Sequence, residues 1–238
     1  MQKLYTDFKE KTEFVDKFLF LLIISIPFLL ATSIFLADLI SSITGIILIY
    51  IFFKKKNYFF KEIKAEIIFM LIFYLIILTS LIFTEYFKVS FLASFFYFRY
   101  ILLSLSIYYL LKKYDFFITI FSYSLIFTIL VVLIDASIQY IYGSNLFGYD
   151  WPHRFKEDPL KRITGFFHEE KKLGSYLVRF LPLLLAAIFW RNNKKKSDIL
   201  ASCLILFTGA VVFLTSERTA LFLFFIIFIA YFSISEIK

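Results

Sequence analysis

The sequence has few of the residues on which many binding and metal sites depend. Its single cysteine, Cys203, lies in an apolar run and excludes a disulfide framework and a cysteine-based metal site. Its two histidines, His153 and His168, do not have the spacing of metal ligands, so no metal site is expected. Six glycines and four prolines leave few places for the paired broken helices of a transporter, which ranks that function lower.

Apolar residues are abundant instead. The chain is 61% hydrophobic and contains 35 Phe and 16 Tyr residues, which is more apolar surface than a soluble domain of 238 residues can bury. Its charged residues gather in short clusters between long apolar runs. This pattern predicts an all-α, polytopic membrane protein.

The apolar runs predict eight spans in a single transmembrane domain over residues 1–238. The run Phe18–Phe53 has no Lys or Arg and is too long for one helix across a hydrocarbon core of about 30 Å, so it is divided in two. Asp38 is then expected to cap the second helix. The predicted spans are 18–33, 36–53, 65–84, 90–111, 116–138, 173–190, 199–215 and 219–235, with a long polar loop at 139–172.

The positive charges predict the orientation of these spans. With the N-terminus in the cytoplasm, the segments on the inner side hold most of the Lys and Arg residues, as membrane proteins usually do. Most of the outer positive charge then belongs to the 139–172 loop. In a bacterium this arrangement places the loop on the periplasmic side of the inner membrane.

Four charged residues lie within or at the edges of the predicted spans: Arg99, Asp135, Arg179 and Arg218. A charge at the centre of a bilayer costs about 2.5–3.5 kcal/mol on insertion scales and usually has a partner or a wet cavity. We expect a structural ion pair between Arg99 and Asp135, which lie in the outer halves of adjacent spans. Snorkelling to the interface is the alternative, and it is easiest for Arg179 and Arg218.

Arg218 begins the eighth predicted span, within the stretch TSERTALF. Thr215 or Ser216 can cap this helix, and its first N–H groups carry a partial positive charge. A guanidinium beside such a helix end makes a site for an anion such as a diphosphate.

In the long loop, Arg162 stands just before Gly165, where it could contact an anion or pair with Glu157 or Asp158. His168 could act as a general base or remain an ordinary solvated residue.

Several stretches together resemble the O-antigen ligase/polymerase superfamily. They include Phe98–Tyr100 in the fourth span and the approach from Asp135 through QYIYG to Asn145, Leu146 and Gly148. They continue with RITGFF at 162–167, LGSYL at 173–177, Leu181-Pro182, and LTSERTA at 214–220. The resemblance covers roughly Leu36 to the C-terminus. In place of the serine–arginine pair of the family, this chain has Glu217-Arg218.

The resemblance implies an inner-membrane glycosyltransferase with a GT-C-like fold. Its donor would be a glycan on undecaprenyl diphosphate, and its acceptor the lipid A core or another glycan. Membrane lipids are its other expected partners, with no nucleic acid. No cofactor or metal is implied, since arginines would hold the diphosphate: Arg218 as the catalytic residue, with Arg162, Arg179 and His168 binding substrate. Family members have more spans and a catalytic histidine in a later outer loop, so the chain is expected to be a truncated form.

A second interpretation belongs to another class of protein. Eight aromatic-rich spans with few internal charges also suit a non-catalytic membrane subunit, or a remnant, of a polysaccharide export or flippase system. The two interpretations differ in whether Arg218 and Arg162 are needed for glycan transfer.

Overall fold

The computed structural model describes residues 12–55, 64–150, 162–168, 170–189 and 194–236. Across these ranges the chain is helical and contains no strand, apart from one isolated antiparallel bridge between Ser144 and Asp150. The all-α prediction is therefore confirmed for this part of the chain. The predicted loop residues Trp151–Lys161, with His153, Glu157 and Asp158, lie outside the described ranges.

Nine α-helices follow one another along the described residues. Short 3-10 turns at Ser80–Phe83 and Gly165–Phe167 accompany them. The helices are α1 Phe14–Thr32, α2 Ile34–Lys55, α3 Lys64–Thr79, α4 Phe87–Phe95, α5 Phe98–Lys113, α6 Phe117–Tyr142, α7 Leu173–Phe189, α8 Lys194–Thr215 and α9 Arg218–Glu236.

Six segments of the described chain are long and apolar enough to cross a membrane. They are Phe14–Thr32, Ile34–Lys54, Lys64–Phe83, Phe87–Lys113, Phe117–Tyr142 and Asp198–Thr215. Two shorter apolar helices, Leu173–Ile188 and Arg218–Ser233, occupy the positions of the other two predicted spans. The helices thus have the length and composition of a multi-pass membrane protein, and the count of eight spans stays a prediction.

The first long apolar run is divided into two helices. A single residue, Ser33, separates α1 from α2, and its N–H donates to the Leu29 carbonyl at 2.7 Å. Asp38 falls in the second turn of α2, because the helix already begins at Ile34. The expectation that Asp38 caps this helix is therefore wrong.

The helices group into two compact units. Unit 1 contains Met1–Ile26 and Ile34–Phe117, and unit 2 contains Pro27–Ser33 and Ile118–Lys238. No polar linker or change of composition marks the boundary in the sequence, and a single transmembrane domain stays the prediction from sequence.

In unit 1, α2 packs on α5. The approach is close at Gly45, where an added Cβ would lie 2.9 Å from Leu102 Cδ1. By contrast, α3 has no buried residue. An apolar helix of this kind in a membrane protein faces lipid or another protein.

A buried carboxylate joins the beginning of α1 to the end of α5. Asp16 accepts hydrogen bonds from Tyr114 Oη at 2.7 Å and Tyr109 Oη at 3.3 Å, and it forms an ion pair with Lys113. Burial, reinforced by the Asp16 carboxylate, raises the pKa of Tyr114 well above its ordinary value. This group of four residues is called the Asp16 cluster below.

In unit 2, α7 packs against both α8 and α9. Its buried face contributes Leu177, Leu181 and Leu184 to a core completed by α6, α8 and α9. Arg179 and Pro182 lie on the opposite, exposed face. The helical period of 3.6 residues accounts for this separation of the buried and exposed sides.

Candidate functional site

The C-terminal end of α6 presents two fully buried polar side chains, Asp135 and Gln139. They are four residues apart, so they lie on one face of the helix, one turn from each other. Asp135 Oδ1 accepts the Leu146 N–H at 3.0 Å, and its Oδ2 accepts Asn145 Nδ2 at 3.4 Å. The carboxylate thus holds the chain that leaves the helix.

Gln139 binds the later part of the loop between α6 and α7, at Thr164 and Gly165. Its Oε1 accepts the backbone N–H groups of Thr164 at 2.8 Å and Gly165 at 2.7 Å. Its Nε2 donates to the Tyr149 carbonyl at 3.5 Å. A single side chain on α6 therefore fixes the backbone of RITGFF, which contains the candidate residue Arg162.

Asn145 links these two contacts. Its Oδ1 accepts the N–H groups of Phe147 at 3.0 Å and Tyr149 at 2.8 Å, which folds residues 145–149 into a turn. Its Nδ2 also donates to the Gly165 carbonyl at 3.2 Å. We call Asp135, Gln139, Asn145, Thr164 and Gly165 the polar cluster.

Gly165 is required in this cluster for two reasons. Its φ of 54° lies in the left-handed region, which side chains other than glycine adopt at a cost. An added Cβ would also lie 3.2 Å from Asp135 Oδ2, tighter than most contacts of real side chains. The glycine therefore lets the backbone of RITGFF approach the carboxylate of α6.

A second polar contact lies at the start of α7. Glu217 Oε1 accepts the Gly174 N–H at 2.8 Å, and its Oε2 accepts the Ser175 N–H at 3.0 Å and the Ser175 hydroxyl at 2.7 Å. The turn between α8 and α9 is thereby bound to the N-terminus of α7. Glu217, Gly174 and Ser175 are called the α7 clamp.

The polar cluster and the α7 clamp belong to the same end of unit 2. Leu173 connects them, because an added Cβ at Gly165 would lie 3.7 Å from Leu173 Cδ2, and Leu173 directly precedes Gly174. Four stretches of unit 2 therefore meet here. They are the end of α6, residues 145–149, RITGFF and the α8–α9 turn.

No family model, no curated protein and no solved structure matches the chain.

The candidate substrate residues occupy different positions around this end of unit 2. Arg162 is half-buried at the start of RITGFF, and His168 follows that stretch with an exposed side chain and a φ of 55°. The His168 ring lies 4.7 Å from that of Tyr149, centre to centre. Arg218 is the exposed first residue of α9. Arg179 is set apart from these residues, since it lies almost two turns along α7.

Arg99 has a different partner from the one predicted. Its Nη2 lies 2.8 Å from Asp38 Oδ2, and Tyr100 Oη donates to Asp38 Oδ1 at 3.0 Å. Asp135 is bonded instead to Asn145 and Leu146 in the polar cluster. The expected Arg99–Asp135 ion pair is corrected to Arg99–Asp38, because α2 brings Asp38 to α5 within unit 1.

The part of the chain that the structure describes contains no cluster of metal-binding side chains. No three His, Cys, Asp or Glu side chains lie together there in an arrangement that could hold an ion. His153 is outside the described ranges, and Cys203 is exposed on α8.

The sequence did not reveal the roles of Asn145, Gln139 and Glu217. For Gln139 a signal existed, because Asp135 and Gln139 are polar residues one turn apart in an otherwise apolar helix. For Glu217 there was none, since its partners are 42 and 43 residues away.

Proposed function

We propose that this chain is an O-antigen ligase-like glycosyltransferase of the bacterial inner membrane. It transfers a glycan from undecaprenyl diphosphate to the lipid A core or to another glycan acceptor at the periplasmic face. The proposal includes a GT-C-like arrangement of eight spans with a cytoplasmic N-terminus.

One observation carries the proposal. Four of the stretches that resemble the superfamily are separated along the chain, yet they are bonded in two pairs at one end of unit 2. Gln139 joins the approach to RITGFF, and Glu217 joins LTSERTA to LGSYL. Stretches that contribute to one site are expected to meet in this way, whereas unrelated loop motifs are not.

The chemistry of the transfer requires positive charge. The bond between the sugar and the diphosphate oxygen breaks, the acceptor oxygen bonds to the sugar and loses its proton, and undecaprenyl diphosphate is released. Negative charge grows on the diphosphate as its bond breaks. A guanidinium that already faces this charge lowers the barrier because it needs no reorganisation.

Arg218 is the residue to which we assign this role. It is exposed at the start of α9, and its guanidinium has no hydrogen bond or ion pair to any residue of the described ranges. An anion there would also offset the unfavourable position of a cation at a helix N-terminus. We assign contacts with the donor or acceptor to Arg162, Arg179 and His168.

The test replaces Arg218 by Lys and by Ala in the intact protein. Arg218→Lys keeps the charge but loses the paired donors of the guanidinium, so we expect transfer to fall about tenfold; Arg218→Ala should lower it about 100-fold or more. The measurement is transfer of a labelled glycan from undecaprenyl diphosphate in membranes, at matched protein levels.

Lys172→Ala is the matched control, because Lys172 is a cation beside the start of α7 that already pairs with the exposed Glu170. It should transfer at the unmodified rate. Unmodified rates for both Arg218 variants would remove the catalytic assignment and favour the non-catalytic subunit.

A further inference from the structure

Glu217 stands directly before Arg218, yet its carboxylate is bound to another helix. Both of its oxygens accept N–H groups from the first turn of α7, at 2.8 Å from Gly174 and 3.0 Å from Ser175. The Ser175 hydroxyl adds a third bond at 2.7 Å. A carboxylate with three donors in this arrangement has little capacity left for a neighbouring cation.

The location of these bonds explains why a carboxylate is bound here. The first N–H groups of a helix have no partner within it, and they carry a partial positive charge that favours an anion. Such groups are usually capped by the residue just before the helix. In this protein the cap comes from the turn between α8 and α9, so it joins two parts of unit 2 that are distant in sequence.

The packing beneath the clamp is equally close. An added Cβ at Gly174 would lie 2.7 Å from Thr215 Oγ1 and 3.1 Å from both Glu217 Cδ and Ala220 Cβ. Ser216, between Thr215 and Glu217, has a φ of 54°, which is costly for a residue with a side chain. A conformation of this kind persists only where the surrounding contacts enforce it.

These contacts determine the position of Arg218. It is the first residue of α9, so the turn that Glu217 fixes also sets the direction from which its side chain starts. Both oxygens of Glu217 bind α7, and the adjacent carboxylate forms no ion pair with the guanidinium. The Arg218 guanidinium makes no hydrogen bond or ion pair to a residue of the described ranges.

We propose that Glu217 is a positioning residue for Arg218. It fastens the α8–α9 turn to the N-terminus of α7 and holds the guanidinium ready for an anionic group. The inference rests on the proposed function, in which that group is the diphosphate of the donor. Glu217 itself does not contact the donor.

The first test is Glu217→Gln, measured as glycan transfer by the intact protein. The glutamine amide has only one acceptor oxygen, and its NH2 group would face the N–H of Gly174 or Ser175. One of the two backbone hydrogen bonds of the α7 clamp is therefore lost. We expect kcat to fall about tenfold. Glu170→Gln is the matched control, because it removes an exposed carboxylate that caps no helix. It should retain the unmodified kcat.

A double substitution separates positioning from general damage to the fold. If Glu217 acts through Arg218, adding Glu217→Gln to Arg218→Ala should cause no further loss of kcat. A further tenfold loss in the Arg218→Ala background would show that Glu217 acts on the structure at large, and would overturn the proposal.

A second test does not depend on activity and measures how accessible the α8–α9 turn is to a labelling reagent. Cys203 is replaced by Ser and Ser216 by Cys, and the rate of modification by a maleimide is compared with and without Glu217→Gln. We expect modification to become severalfold faster once the clamp is weakened. An unchanged rate would show that Glu217 does not hold the turn. Glu217→Asp, which keeps the charge, serves as a second variant if Glu217→Gln is poorly folded.

The outcomes distinguish this inference from the proposed function. Full transfer by Arg218→Ala would refute the role of Arg218 in the proposed function, whereas the labelling result would still report on the clamp. Loss of transfer in Arg218→Ala with full transfer in Glu217→Gln would refute the positioning role alone.

Discussion

At the scale of single residues, Asn145 has more structural consequences than its small side chain suggests. It makes two hydrogen bonds within its own turn, one to Gly165 and one to Asp135. An amide is suited to this position because it offers donors and acceptors at once. Neither a carboxylate nor a hydroxyl could replace both functions.

Replacement of Asn145 by Ala should therefore destabilise unit 2. It removes the Asn145 donor from the buried Asp135 Oδ2 and from the Gly165 carbonyl, and we expect a loss of about 2–4 kcal/mol in unfolding free energy. Thermal or denaturant unfolding in detergent measures the effect. Ser137→Ala is the control, since Ser137 donates only to the carbonyl of Leu133 in its own helix. Equal stability of the two variants would contradict the role of Asn145.

Residue types were easier to predict than their partners. The sequence indicated that Asp135 and Arg99 need partners, because a bare charge in a membrane span is costly. It could not identify those partners, since adjacency of spans along the chain does not specify which helix faces meet. Asp135 is bonded within its own connection, and Arg99 is paired with Asp38 on α2.

At the scale of helices, the Arg99–Asp38 pair connects α5 to α2. Tyr100 extends the pair, as it accepts from Arg99 Nη2 at 2.9 Å and donates to Asp38. The two charged side chains are part-exposed, so their contribution lies between that of surface and buried pairs. The pair helps to set the register of two helices that pack over much of their length.

A double-mutant cycle measures this contribution. Arg99→Ala and Asp38→Ala should each lower stability by about 1–3 kcal/mol, because each leaves an unpaired charge between the helices. The double variant should lose less than the sum of the two, and unfolding in detergent is the measurement. Strict additivity would mean that the pair contributes nothing to the packing of α2 on α5.

Helix positions were largely predictable, and their ends were less so. The long apolar runs specified α1, α2 and α6 because spans of this length have few alternative conformations in lipid. The start of α2 at Ile34 was missed, since no strong stop signal stands between Thr32 and Asp38. The α7 clamp could not be predicted, because it depends on how two distant parts of the chain pack.

At the scale of the whole molecule, the distribution of Lys and Arg predicts the orientation in the membrane. Reporter fusions at Lys55 and Lys195 should report a cytoplasmic location, and a fusion at Asp158 a periplasmic one. Lys195 lies in the first turn of α8. A cytoplasmic signal at Asp158 would reverse the orientation and place the candidate site on the wrong side for a periplasmic donor.

The Asp16 cluster also imposes an order on biosynthesis. Asp16 belongs to the first turn of α1 and is synthesised early. Its partners Tyr109, Lys113 and Tyr114 follow 93 to 98 residues later. At about 5–20 residues per second, this carboxylate waits roughly 5–20 s for its partners. We therefore expect α1 to stay near water or the insertion machinery during that interval. Unit 1 would close only after α5 has been synthesised, so its first helix would be among the last to reach its final place.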